Sequence, residues 1–348
     1  MNFTLESPTI DDVDELLKLY FMVYGVNYPY AFGSNAKAAE QAILSDDTKW
    51  LIARDKASGK IVGSMVYDLD SADKVARALA LVVHPEFRKV GIASKLCAWG
   101  DELIKKGGRF NSVYTTTRTQ SMGPQLIFLK ENYLPLGIFP NAHKIKRHES
   151  TTLFAKFQDG VLERRAETEK IPHRLVPLYK VVKNVYPELE IPPAASLSER
   201  AIKKHSPWDF TFEAILAPHY VMRAFKAQVT DAAAQFYPFH LPNLLLTDES
   251  GKVDIFAYYN QLDGYCTIIS CNQPMYALHE IFPALLEKLR SLGITYVEVL
   301  IAADRFESLE VLLRAQFLPS ALYPAMRDLN GQTYDYVIMT RTMEPLDF

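Results

Sequence analysis

The stretch from Leu81 to Leu96 restricts the architecture of this chain more than any other. Leu81-Val82-Val83 is the end of an apolar, β-branched run that reads as a strand, and His84-Pro85 ends it. Arg88 and Lys89 form a basic turn, and Gly91 opens a helix whose Ile92, Leu96, Trp99 and Leu103 fall on one face. A strand that runs through a basic turn and a glycine into an amphipathic helix requires an α/β unit. It also leaves the unpaired first amides of a helix, with their partial positive charge, facing whatever lies beyond the turn. Gly91 lets an anion approach the backbone closely, Ala93 keeps the helix start unobstructed, and Arg88 and Lys89 add full charges suited to a diphosphate.

The remaining chain has room for more than this unit. Its 348 residues are comfortable for two domains of roughly 150 residues each. Hydrophobic residues at 49% and charged residues at 23% allow a sizeable core and exclude general disorder. A net charge of −3 gives no basic field to hold nucleic acid. The short run Lys144, Lys146, Arg147 beside Glu149 reads as a solvated face. Acidic residues come soon after Met1–Glu6, and no apolar run reaches the roughly 18 residues of a membrane span, so the expected location is the cytoplasm, with no membrane partner. Cys97, Cys266 and Cys271 form no metal-ligand pattern and are expected as free thiols, with no metal site.

Periodicity predicts a strand over 3–6, helices after Thr9 and over 36–44, a hairpin of strands 49–54 and 60–68, and a strand over 76–83. Then come a helix over 91–106, a strand over 112–117, a short helix over 126–130 and a closing strand over 151–157. Residues 159–200, with Pro172, Pro177, Pro187, Pro192 and Pro193, read as a packed, partly helical connector between domains at 1–158 and 201–348. Strands over 243–247, 252–259 and 264–271, a helix over 276–292, a strand over 294–301, a helix over 307–315 and a last strand over 334–340 repeat the order of the first half in pattern, not in letters. The expected fold class is α/β, as mixed α+β sheets, in two tandem copies.

Arg88, Gly91 and Ala93 occupy the three defining positions of (Arg/Gln)-x-x-Gly-x-(Gly/Ala), after Val83-His84-Pro85-Glu86-Phe87. In this the segment resembles the coenzyme A-binding motif of the GNAT family of N-acetyltransferases, and the resemblance extends over residues 3–157. It implies acetyl-CoA as cosubstrate, contacting Leu81, Val82, Val83, Arg88, Lys89, Val90, Gly91, Ile92, Ala93 and Ser94. It further implies that the strand 78–83 splays from 112–117, that pantetheine pairs with the exposed edge, and that a backbone N–H near Val83 polarises the thioester carbonyl. The implied reaction is direct attack of a primary amine, of a small molecule or a protein, on acetyl-CoA in a ternary complex.

The sequence departs from the family where many members carry a tyrosine acid. Phe128 stands at that position, Asn132 replaces the glycine after it in the pattern, and the strand 77–83 lacks the glutamate base. Tyr114 and Ser121 are the catalytic substitutes; as alternatives, Tyr114 is a packed aromatic and Ser121 a loop cap. His84, His143 and His148 are weaker candidates, and Asp68, Asp70 and Asp73 form an acidic loop that could attract a cationic amine. The alternative function is a catalytically weak acyl-CoA-binding regulatory or interaction module.

The second half, through Gly293–Leu300, Gln316-Phe317 and Tyr334–Met339, also resembles a GNAT-like domain, but Asn272-Gln273-Pro274-Met275-Tyr276 supplies no Arg-x-x-Gly-x-Ala. A degenerate domain shaping the acceptor groove or forming a dimer contact is expected, so a homodimer is one possible assembly. The aromatic stretch Phe236-Tyr237-Pro238-Phe239-His240 reads as a core edge or interface.

Overall fold

The structure, a computed structural model, describes residues 2–26, 28–144, 148–196, 211–231, 236–273 and 280–346. Lys146 and Arg147 of the basic run, 197–210 at the junction of connector and second half, and Pro274, Met275 and Tyr276 lie outside the described residues. The described residues form helices and strands in mixed sheets, an α/β architecture. They fall into two compact units, one of 1–117, 121–134 and 154–161, the other of 118–120, 135–153 and 162–348.

The first unit starts with β1 (Phe3–Glu6). The acid-rich entry Thr9–Asp12 is a capping turn in which Thr9 N–H donates to Asp12 Oδ2 at 2.8 Å. It leads into α1 (Val13–Tyr24) and then α2 (Ala36–Leu44), where Asn35 Oδ1 caps Ala38 N–H. Next come β2 (Thr48–Asp55), β3 (Ile61–Asp70), β4 (Val75–Val83), α3 (Ile92–Gly107), β5 (Ser112–Arg118) and α4 (Met122–Lys130). The strands lie in the order β1-β2-β3-β4-β5, with only the β4–β5 pair parallel.

Alternation along each strand sorts the apolar side chains to two faces. Met65, Tyr67, Ala76, Ala78 and Val113 pack with α3 residues Ile92, Leu96 and Cys97. On the other face Val66, Leu79 and Val82 pack with α1 residues Leu16, Leu19 and Tyr20. The charged group inside the α3 side is Asp101, which is fully engaged. Its Oδ1 accepts from the hydroxyls of Tyr133 at 2.6 Å and Tyr67 at 3.1 Å, and its Oδ2 from Lys156 Nζ at 2.9 Å. Glycine is the only residue that fits at position 100 beside this network, because a Cβ on Gly100 would lie 2.3 Å from the Tyr67 ring.

The second unit continues with β6 (Leu134–Lys144), β7 (His148–Phe157), β8 (Ile171–Pro172), α5 (Val176–Lys183), β9 (Ala194–Ala195), β10 (Phe212–Ile215) and α6 (Pro218–Gln228). It ends with β11 (Leu244–Asp248), β12 (Asp254–Asn260), β13 (Tyr265–Cys271), α7 (Phe282–Ser291), β14 (Tyr296–Ala302), α8 (Phe306–Arg314), β15 (Leu318–Leu329) and β16 (Gln332–Thr342). Its strand order from β6 is β6-β15-β16-β14-β13-β12-β11-β10.

These units differ from the boundaries expected at 158 and 200. Most of the β6–β7 hairpin groups with the second unit because β6 pairs with β15, Gly137 opposite Ala321. That approach is so close that a Cβ on Gly137 would lie 2.2 Å from the Ser320 carbonyl oxygen. In the Pro-rich stretch Arg165 grips Asp335 through Nε at 2.8 Å and Nη2 at 2.6 Å, and Arg174 Nη1 donates to the Leu313 carbonyl at 3.0 Å. The helix expected over 276–292 spans Phe282–Ser291, and 276–279 lie outside the described residues.

Apart from the helices between the first two strands, α1 and α2 in one half and α6 in the other, the order β1-β2-β3-β4-α3-β5-α4-β6-β7 recurs as β10-β11-β12-β13-α7-β14-α8-β15-β16. The local joints recur too. Asn111 N–H donates to the Lys74 carbonyl at 2.7 Å, and Thr295 N–H to that of Gly264 at 2.8 Å; both acceptor residues have left-handed φ, 55° and 64°. Tyr133 N–H donates to Phe128 O at 2.9 Å after a left-handed Asn132, and Phe317 N–H to Leu312 O at 2.9 Å after a left-handed Gln316.

Candidate active site

The site grows from a break in the sheet. β4 and β5 are in register only from Val75 opposite Ser112 to Arg77 opposite Tyr114. Beyond Arg77 the strands part, as the family resemblance implies. The cause lies within β4: the register with β3 shifts between Ser64 and Val66, and Ala80 takes a left-handed φ of 55°. Such a bulge bends its strand and re-aims the residues beyond it, here Leu81–Val83. A left-handed alanine costs on the order of 1–3 kcal/mol, so its surroundings must hold it there. Trp50 Nε1–H donates to Ser64 Oγ at 2.7 Å, Ser64 and Tyr20 hydroxyls lie 3.1 Å apart, and Tyr20 O–H donates to the Ala80 carbonyl at 3.1 Å. One proton per hydroxyl orders this chain as Trp50 to Ser64 to Tyr20 to Ala80. Burial pushes the Tyr20 hydroxyl well above the usual phenol range, so it stays a donor.

The bulge also decides which backbone groups face the gap. His84 N–H donates to the Val62 carbonyl at 2.9 Å. Antiparallel alternation, counted back from His84, turns Val83 and Leu81 away from β3 and toward the opening left by β5. Arg88 Nε–H donates to the Val83 carbonyl at 3.3 Å and Tyr24 O–H to the Leu81 carbonyl at 3.3 Å. The Val83 N–H thus points to the edge where the resemblance puts the thioester.

At the end of β4, Pro85–Phe87 makes one tight turn, Lys89 and Gly91 take left-handed φ of 66° and 88°, and α3 begins at Ile92. Gly91 is the N-cap and offers no side chain to the helix amides. A Cβ placed on it would meet nothing within 4 Å, so the space before the helix is open. Arg88, Lys89 and Val90 are exposed around it, Ala93 and Ser94 are half-buried, and Ile92 is anchored in the core. Open space, a bare helix N-terminus and two cations together suit a diphosphate.

The two catalytic substitutes expected from the sequence belong to β5 and to the start of the helix that follows it. Tyr114 is half-buried on β5, opposite Arg77 at the last paired position before the gap. Ser121 is the N-cap of α4, and its side chain makes no capping bond. Phe128 is core, 3% exposed and packed at 5.1 Å on the Tyr133 ring, so this position contributes no acid. Asn132 keeps the left-handed turn that glycine gives the family, with φ 64°. His84 uses Nδ1 to accept Glu86 N–H, and Asp70 caps Asp73 N–H at 2.9 Å, both local turn roles. Asp68 faces Arg77 across β3 and β4; burial raises its pKa, and Arg77 opposes the rise. His143 lies 3.6 Å from Asp263 in the second unit. Burial pushes the three thiols up, Cys266 and Cys271 to about 12, so none is a ready nucleophile.

The contributions of Tyr20 and Tyr24 were hidden in the sequence. Their spacing of four put them on one face of α1, but nothing there announced that this face meets the β4 bulge. Thr117, near the end of β5, was passed over as well; its buried Oγ1 finds no partner among the described residues.

Residues 11–123 match the model of the Acetyltransferase (GNAT) family. The GNAT match takes in the whole of α1 through β5, including the bulge, the splay and the cradle, and less than half of the chain. No curated protein matches. Among solved structures, an acetyltransferase of the GNAT family from Streptococcus pneumoniae is 16% identical and covers 45% of this chain and 99% of its own, with a TM-score of 0.40. A spermidine N-acetyltransferase from Vibrio cholerae in complex with CoA and spermine is 15% identical, covers 45% and 96%, and has a TM-score of 0.40. An N-acetyltransferase from Staphylococcus aureus is 13% identical, covers 45% and 99%, and has a TM-score of 0.40. Among the described residues no helix is long and apolar enough to cross a membrane.

Proposed function

We propose that the first unit is an acetyl-CoA-dependent N-acetyltransferase acting on a primary amine of a small molecule or a protein. The observation that carries this reading is the junction of a splayed β4 edge with an open, glycine-capped helix start. The coenzyme's pyrophosphate lies over 88–94 and its pantetheine pairs with the Leu81–Val83 edge. The Val83 N–H donates to the thioester carbonyl oxygen, where negative charge grows in the transition state. The amine nitrogen attacks the carbonyl carbon and loses a proton, while the carbon–sulfur bond breaks and the thiolate leaves and takes up a proton. Tyr114 on β5 and Ser121 at the start of α4 serve these transfers, directly or through water.

The second repeat is a GNAT-like domain without the cradle, so the chain is a tandem with one coenzyme site. A cytoplasmic enzyme that makes no use of nucleic acid or membrane, and that could pair as a homodimer, fits the charge balance. The buried Phe128 favours one second reading, an acyl-CoA-binding module with little turnover. Release of free thiol from acetyl-CoA, measured against a panel of primary amines, separates the two. Amine-dependent release supports the enzyme, and coenzyme binding without release on any amine supports the module.

A further inference from the structure

We propose that Tyr24 guards the pantetheine edge of β4, its hydroxyl holding a backbone carbonyl that the incoming coenzyme takes over. The proposal rests on the reading above, in which pantetheine lies along Leu81–Val83.

Two tyrosines one turn apart on α1 reach adjacent carbonyls of the same strand. Tyr20 is fully buried, donates to Ala80 O and stands beside Ser64, so it is fixed structure. Tyr24 is 45% exposed and donates to Leu81 O. It closes α1, because Gly25 comes next with a left-handed φ of 73° and returns its N–H to Phe21 O at 2.8 Å. Its ring rests 4.8 Å from that of Tyr28 and stacks at 6.4 Å on that of Tyr20, so the hydroxyl is presented to the strand edge from one side.

Leu81 is the other outward-facing residue of the edge, two before Val83. A chain added to a strand edge needs the carbonyls as well as the amides, and the Leu81 carbonyl is taken by Tyr24. The two must exchange. At 3.3 Å the tyrosine bond lies beyond the 2.5–3.0 Å usual for O–H···O, so little is lost when the hydroxyl swings out to solvent. Such a group protects a bare edge from unwanted strand pairing and yields to a ligand that brings its own amide.

The test is calorimetric titration of the full chain and its Tyr24→Phe variant with two ligands, coenzyme A and its nucleotide part, adenosine 3′-phosphate 5′-diphosphate, which lacks pantetheine. Phenylalanine keeps the ring and removes the competing donor. Coenzyme A is expected to bind the variant roughly 2- to 5-fold tighter, with nucleotide affinity unchanged. Equal or weaker coenzyme affinity in the variant overturns the proposal and leaves the cradle reading standing, as does a parallel shift for both ligands. If neither protein binds coenzyme A, the functional reading fails and this proposal with it.

Discussion

The two repeats place a helix against a sheet at the same topological point and fill the contact with opposite chemistry. In the first, Asp101 on α3 collects the hydroxyls of Tyr67 and Tyr133 and the ammonium of Lys156. In the second, Leu286 lies the same distance before the helix-closing glycine, Gly293, as Asp101 does before Gly108. Phe317 stands where Tyr133 does and packs on Phe282 at 5.6 Å, and the Tyr259 hydroxyl turns to the Leu292 carbonyl at 2.6 Å. The same element order therefore tolerates an ionic hub or an apolar side chain at this point of the helix. The hub accompanies the helix with the glycine-capped start proposed to hold the coenzyme, and the apolar version accompanies the helix not preceded by that motif.

The largest expected effect breaks the hub. Asp101→Ala leaves the buried Tyr133 hydroxyl and the partly exposed Lys156 ammonium without this acceptor, while Tyr67 keeps the Cys97 carbonyl, and should cost about 3 kcal/mol, read by denaturant unfolding. Copying the second repeat with Asp101→Leu, Tyr133→Phe and Lys156→Met together should recover most of that loss, since well-packed apolar groups replace buried ion networks at little cost. A triple variant as unstable as Asp101→Ala would show that the two junctions are not equivalent.

The second test concerns the cradle. Gly91→Trp should weaken coenzyme A binding at least about 100-fold, some 2.7 kcal/mol, because the side chain fills the open space and the left-handed backbone resists it. A site of unchanged affinity surviving in calorimetry would place the coenzyme on the second repeat instead. A smaller effect is expected at the packed face of the same helix. Gly100→Ala pushes a methyl into the Tyr67 ring and should lower stability by about 1–3 kcal/mol, measured by thermal unfolding.

The smallest effect is pH-dependent. Burial raises the Asp68 pKa in the folded state, so folding favours its protonated form. Its contribution is greatest at acid pH, below the ordinary carboxylate range, and falls as pH rises through the folded pKa. Asp68→Asn should therefore gain up to ~1 kcal/mol over the natural chain at pH 7, with the difference fading toward about pH 4, as denaturant unfolding at the two pH values would read. A gain that grew on acidification would mean that Arg77 outweighs burial.

Much of this was legible in the chain. The hairpins, the helix after Gly91 and the closing strands fall within a few residues of where periodicity placed them. Three features were not. β6 and β15 escaped notice because Leu134–Lys144 and Leu318–Leu329 mix proline, polar and apolar residues without a clean alternation. The domain boundary shifted because the β6–β15 pairing is a contact between residues far apart in sequence. The bulge at Ala80 was invisible, since alanine carries no sign of a left-handed backbone.

The sequence by itself determined the glycine-capped helix start proposed as the anion cradle, because a glycine, two cations and a helix start are local and sit within a few consecutive residues. The family resemblance implied the splay of β4 from β5, but only the tertiary structure decided what bends the strand there and what covers its edge. That outcome depends on Trp50, Ser64 and Tyr20, from three separate elements, linked in one hydrogen-bond chain that ends on the Ala80 carbonyl, and hydrogen bonds across such distances leave no periodic trace in the chain.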